Sequence, residues 1–539
     1  MRPRPDASRA LVATVLLAAT AIPPRGAARA DPVPTEGHHY RLDVRLDVDT
    51  HTVSGRLWIQ FVNTSERPID ALELHLYANA FEHAQTVFMR EGGARIRRVD
   101  LTDPGHIHLT DIHVAGRPSV AALQTDMLPF DRTQARLPLA EPLAPGGSLS
   151  LRMDFETKLP RAIARMGYAR DFHMLGQWFP KLAKLQPDGR FAMFPYHGAG
   201  EFFADFATYE LVLELPTALT ALCNGRRLRN TKLPGGRIQV RYRAANVHDL
   251  ACAVGRHVQL VHKQLDHVAV TFMAPHGYGA AVERQAQVLR DGLRYFGQHY
   301  GPYPYSELAV VIPPRAAHAV SGMEYPGLIV TGGPWWSLPI AGFDPFHDIL
   351  AAHELAHQWF YGLVASNEVA HPFMDEGLSE WATWDLLRHR AAAVGGLNPL
   401  AVVRAAATKL PTRSPVSSLK SAADYRPRQL GRAVYWQPAL VLERIAETQG
   451  RERLLLAIGR YARQHRFGHP LPRDLFDAFD AEYGPGFSEE VLAPELRGAA
   501  PPRGQPAHEP SWSTEVSWFS LLVLFAQTLP STVLSLMAP

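Results

Sequence analysis

The stretch "HELAHQWF", residues 353 to 360, places two imidazoles four residues apart, with Glu354 beside the first. No proline or glycine interrupts Phe346 to Tyr361, so the segment reads as helix. A helix sets His353 and His357 one turn apart on one face, where both can reach a single zinc ion. Glu354 flanks that face, and a carboxylate there can take a proton from an attacking water and pass it to a leaving amine. A catalytic zinc needs a third protein ligand and an open position. Glu376, in "FMDEGLSEW", is separated from His357 by eighteen residues and opens a second expected helix. The five-residue pattern arises by chance in roughly one such chain in twenty, and a carboxylate at one fixed offset lowers that to roughly a few in a thousand. Glu380, one turn further on, and Glu368, in the intervening loop, compete with Glu376 on chemical grounds, and spacing does not choose among the three.

Two kinds of periodicity must position these residues. "YRLDVRLDV" from Tyr40, "VSGRLWIQF" from Val53, "SLSLRMDF" from Ser148 and "YELVLEL" from Tyr209 alternate apolar and polar residues, which predicts half-buried antiparallel strands. Near residue 270 the period becomes helical: Val282, Ala286, Leu289, Leu293 and Phe296 line one helix face. A short apolar strand, "LAVVI", follows at 308 to 312, and mostly helical sequence runs to about residue 490. The expected architecture is an antiparallel β-sandwich-like domain over 31–264, then an α+β, mainly helical catalytic domain over 265–490.

At 539 residues the chain is long enough for two or three domains with large cores. Its 55 basic and 52 acidic residues nearly cancel, so no electrostatic footprint for nucleic acid stands out. Arg2, Arg4 and Arg9, the apolar run to Ile22 and the small residues around Ala28 and Ala30 read as a signal peptide over 1–30, which implies export to a periplasm, cell envelope or extracellular space. A Pro/Gly-rich linker, 491–515, precedes the uncharged stretch 516–539, a candidate membrane segment or an apolar terminus that packs on protein. Cys223 and Cys252, the only cysteines, allow one disulfide or two buried thiols.

HExxH with the distant glutamate, preceded by "SGMEYPGLIV" at 321 to 330, resembles the M1 family of zinc aminopeptidases, in the gluzincin group. "WFPKLAKL", "GEFFADFATYELVLELP" and "DRTQARLPLAEPLAPGG" resemble that family's N-terminal β-domain, and "FGQHYGPYPYSELAVV" the start of its thermolysin-like domain, so the likeness runs over roughly 38–480. The resemblance implies that His353, His357 and Glu376 hold one zinc ion per chain and that Glu354 is the general base. It also sets the family's GxMEN exopeptidase motif on Ser321, Gly322, Met323, Glu324 and Tyr325, with the leading glycine and closing asparagine replaced. Glu324 would bind the substrate's free α-amine, with Gly322 and Met323 beside it. Tyr435, in "VYWQPALVLERI", matches the family's oxyanion-stabilising tyrosine, whereas Tyr425 lies in a Pro/Arg-containing loop and reads as structural. Only about fifty residues follow the catalytic domain, which implies a more open cleft than a large C-terminal domain would leave.

The reading that follows is an exported zinc aminopeptidase acting on peptides. Its alternatives are a related zinc hydrolase with endopeptidase or epoxide-opening activity, and a non-catalytic binding or scaffold protein on the same fold.

Overall fold

A computed structural model describes residues 37–91, 101–114, 123–125, 128–198, 200–336, 346–394 and 416–498. The expected signal peptide and the apolar stretch 516–539 lie outside them, and no helix among the described residues is long and apolar enough to cross a membrane.

The alternating segments form strands His38–Asp47, Thr52–Val62, Ser148–Lys158 and Ala207–Pro216. Together with Arg226–Leu233, Arg237–Val247 and His106–Val114 they make one seven-stranded sheet. Along His38–Asp47, Tyr40, Leu42, Val44 and Leu46 point into the core while Arg41 and Arg45 face water, so a one-residue slip would expose every apolar side chain. One pairing departs from the antiparallel expectation: His38–Asp47 runs parallel to Ala207–Pro216. Nearly 160 residues separate those strands, enough chain for the crossover that a parallel pair requires. A three-stranded and a four-stranded sheet pack on the inner face and share its core.

The second part is built on a four-stranded sheet, Val258–Leu265, Val268–Pro275, Glu307–Val311 and Leu328–Val330. Its first hairpin straddles residue 264, so the strand before the expected junction already belongs to this sheet. Both faces of the sheet are covered. Met273, Ala309, Val311, Leu328 and Val330 join the β-domain core, while the alternate residues Phe272, Leu308, Val310 and Ile329 join the helical core. Strands buried on both faces read as unbroken apolar runs, as "LAVVI" does. The periodic helix runs Gly279–Tyr300, with Val282, Ala286, Leu289, Leu293 and Phe296 all buried.

Candidate active site

The two histidines come from the helix Phe346–Ala356 and the turn that continues it. The regular helix stops before His357, short of the expected Tyr361: Gln358 N–H and Trp359 N–H bond back three residues, to Leu355 and Ala356, and Tyr361 adopts φ 133°. The His357 N–H still donates to the His353 carbonyl at 3.3 Å, which preserves the one-turn relation of the two imidazoles. Glu376 lies in the first turn of the helix Phe373–Val394. Its neighbour Gly377 permits close helix contact: a Cβ there would lie 2.5 Å from Cβ of Pro438, at the start of the helix Gln437–Gln449. That approach brings Tyr435, on the π-helical turn Gly431–Trp436, up to Glu376.

Three donor atoms converge. Nε2 of His353 and Nε2 of His357 are 3.0 Å apart, and Oε2 of Glu376 is 3.3 Å from each. A tetrahedral zinc with bonds of ~2.0–2.1 Å holds its ligand atoms about 3.3 Å from one another. Oε2 of Glu376 is buried and faces both ring nitrogens, as the third ligand oxygen of one metal would. The donor set therefore fits zinc.

The rival carboxylates occupy other places. Oε2 of Glu380 lies 3.2 Å from Nδ1 of His353, on the far side of the ring, and its other oxygen accepts from the Trp384 indole at 3.0 Å. Glu368 is buried in a group with Glu324 and Asp375 and is absent from the three-donor cluster. Nothing in the sequence marks Asp375 beyond its place beside Glu376. Its Oδ1 lies 2.6 Å from Nδ1 of His357, joined by Oγ of Ser379 at 3.0 Å, and these contacts orient the ring so that Nε2 faces the cluster.

Glu354 is buried, with Oε2 unpaired, and shares a group with Glu324 and His357. Burial raises its carboxyl to about 7, with His353 and His357 pulling it down and Glu376 pushing it up. Glu324 is likewise raised by burial, to about 8, where His357 opposes the shift and Glu354, Glu376 and Asp375 add to it. Burial alone would lower His353, but Glu376 and Glu380 raise it to about 10. Metal uptake must therefore displace a proton from this ring.

Gly322, at φ 75°, passes close to Glu354: a Cβ there would sit 3.7 Å from its Oε1. Met323 is fully buried in the core shared with the β-domain, so its contribution to the cleft comes through backbone. Tyr325, where the resembled motif has asparagine, is also fully buried. Its hydroxyl donates to the Arg165 carbonyl at 3.0 Å, and a Cβ on Gly176 would overlap it. Glu324 remains beside Glu354 with this substitution in place. Arg165 sits on a two-residue turn with positive φ at Ala164 and Arg165, and its guanidinium pairs with Glu201. Nothing in the sequence marks that turn, 159 residues from Glu324, as a neighbour of the cleft.

The Tyr435 hydroxyl donates to Oε1 of Glu376, and its ring stacks on His353 at 6.2 Å between centroids. The Tyr425 hydroxyl instead donates to the Ser417 carbonyl at 2.8 Å and accepts from the Lys420 N–H at 3.2 Å, closing its own loop.

Residues 284–492 match the family model described as peptidase family M1 domain. Aminopeptidase 2 of Candida albicans is 24% identical over 215 residues, 38% of this chain and 23% of that protein. Aminopeptidase M1 of Arabidopsis thaliana is 27% identical over 192 residues, 33% of this chain and 21% of that protein. The aligned segments thus span less than a quarter of these curated relatives. Among solved structures, the M1 zinc metallopeptidase of Deinococcus radiodurans matches with TM-score 0.59 and 17% identity over 89% of this chain and 97% of its own. A variant of that enzyme bound to a Tyr-Ser-Ala substrate matches with TM-score 0.60 and 17% identity over 88% and 97%. At this identity the structural likeness establishes the fold.

Proposed function

This chain carries a peptidase family M1 domain, and from that premise we propose that it is a zinc-dependent aminopeptidase removing N-terminal residues from peptides. The observation that carries the reading is the pair of buried, unpaired carboxylate oxygens on Glu324 and Glu354 beside the three-donor cluster of His353, His357 and Glu376. Zinc held by His353, His357 and Glu376 would supply a Lewis acid that polarises a carbonyl and acidifies water. The remaining roles belong to the chain. Glu354, buried beside the cluster with Oε2 unpaired, is placed both to accept a proton from the attacking water and to return it to the leaving amine. The Tyr435 hydroxyl, reaching the cluster from a separate helix, can turn from Glu376 to the oxygen on which negative charge develops. Glu324 offers its unpaired Oε1 to the substrate's α-ammonium, which would otherwise leave water without a counter-charge.

Hydrolysis of aminoacyl arylamides with free and with acetylated N-termini tests the proposal. Rapid turnover of the free series and poor turnover of the acetylated one is expected. Equal rates, or cuts inside long peptides, would replace it with the endopeptidase alternative.

Export is the proposed setting. A disulfide joins Cys223 to Cys252, and such bonds persist in oxidising compartments.

A further inference from the structure

Oε1 of Glu324 has no partner, so the placement of this carboxylate depends on the backbone around it. On its N-terminal side the backbone is held by sheet: Gly322 N–H donates to the Val330 carbonyl at 2.8 Å, and Val330 N–H to the Met323 carbonyl at 2.7 Å. On its C-terminal side the chain turns through Tyr325, Pro326 and Gly327 before rejoining the sheet at Leu328. Two carboxamides grip that turn. Gln358, from the histidine segment, accepts from Gly327 N–H at 2.8 Å and donates to the Tyr325 carbonyl at 3.1 Å. Pro326 has no N–H, so its carbonyl is the only backbone handle it offers. Asn224 of the β-domain takes it, with Nδ2 donating at 2.9 Å.

Asn224 is fully buried and committed in three directions. The same Nδ2 donates to the Asp249 carbonyl at 2.9 Å, and Oδ1 accepts from Ala251 N–H at 3.0 Å. It directly follows Cys223, whose bridge to Cys252 ties together the cross-strand pair between Thr220–Cys223 and Cys252–Gly255. The covalent link thus fixes the two chain segments between which two of the three Asn224 hydrogen bonds run, leaving the third to reach Pro326.

We propose that Asn224 is a positioning residue for Glu324, held in place by the Cys223–Cys252 bridge, so that amine recognition in the catalytic domain depends on a β-domain carboxamide. The proposal rests on the reading of Glu324 as the amine-binding carboxylate. Asn224 touches no substrate; it acts through the Pro326 carbonyl, two residues from Glu324.

A double-mutant cycle with free and acetylated arylamides tests this. Asn224→Ala should lower kcat/KM for free-amine substrates about tenfold, chiefly through KM, with zinc content and the slow rate on acetylated substrates unchanged. In a Glu324→Gln background the same change should cost less than about twofold, because the two act on one contact. An undiminished loss in that background, with the wild type still discriminating free from acetylated substrates, overturns the proposal alone. A wild type indifferent to acetylation removes the amine reading and this proposal together. Asn224→Leu, which keeps the shape and adds no buried charge but loses the amide donors, gives the same readout should the alanine variant fail to fold. A folded Cys223→Ala/Cys252→Ala variant should raise KM for free-amine substrates about threefold or more. An unchanged KM there overturns the part assigned to the bridge.

Discussion

Two buried charged clusters in this molecule are built on opposite terms. In the β-domain, Lys181 and Asp249 are almost wholly buried and face each other at 2.9 Å. Gln177 also donates to Oδ2 of Asp249, and Leu250 N–H donates to its Oδ1 at 2.8 Å, so both oxygens are used. In the cleft, Glu324 and Glu354 are nearly as buried, yet each keeps an oxygen with no partner. A buried carboxylate without a counter-charge is unfavourable, and a fold retains it where a ligand from outside completes the site. The closed cluster holds structure together, and the open one is the candidate site for metal, water and substrate.

The largest effect should come from the open cluster. Glu354→Gln preserves shape and removes the base, so kcat should fall roughly a thousandfold while zinc content and thermal midpoint stay near wild type. A variant that retains turnover would end the hydrolase reading. The closed cluster should respond in stability instead. Asp249→Ala strands a buried ammonium and should cost about 3–5 kcal/mol in denaturant unfolding. A loss below about 1 kcal/mol would erase the contrast between the clusters.

Tyrosines at the two positions weighed in the sequence sharpen the same division. Tyr435→Phe should reduce kcat about a hundredfold with little change in KM, as expected of a group that matters in the transition state. Tyr425→Phe removes two loop hydrogen bonds and should cost about 1–2 kcal/mol of stability with kcat unchanged. Steady-state kinetics and unfolding curves on both variants decide the assignment.

The pH dependence is a finer test. The base is the deprotonated form of Glu354, so kcat should fall about tenfold per pH unit on the acid side of its profile. Stability has the opposite sign. A carboxyl whose folded pKa lies above its unfolded value binds more protons when folded, so its ionisation destabilises the fold as pH rises toward 7. In metal-free protein, Glu354→Gln should therefore gain stability relative to wild type between pH 5 and 8 on the order of 1 kcal/mol or more. A pH-independent difference would mean that burial does not control this carboxyl.

Much of the architecture was legible because its signals are local. Alternation from Tyr40, Val53, Ser148 and Tyr209 marked the strands, and the spacing of Val282, Ala286, Leu289, Leu293 and Phe296 marked the long helix, since both patterns follow from which side chains one backbone period turns to the core. The parallel pairing of His38–Asp47 with Ala207–Pro216 was not legible, because half-buried alternation looks alike in strands of either direction. The early end of the histidine helix was missed for a similar reason. No proline or glycine announces it, and nothing in the local sequence marks the positive φ of Tyr361.

In the candidate site, the sequence by itself determined what a single turn of chain can encode: His353 and His357 one turn apart, and Glu354 beside them. The tertiary structure decided which carboxylate joins them. It set Oε2 of Glu376 3.3 Å from both ring nitrogens, turned Glu380 to the far side of His353 and placed Glu368 with Glu324 and Asp375. It also decided that Tyr325 reaches Arg165 and that Asn224 grips Pro326. A helix fixes the relation of residues four apart through its own hydrogen bonds. Residues a hundred or more positions apart meet only where separately formed elements pack, and no local pattern records that.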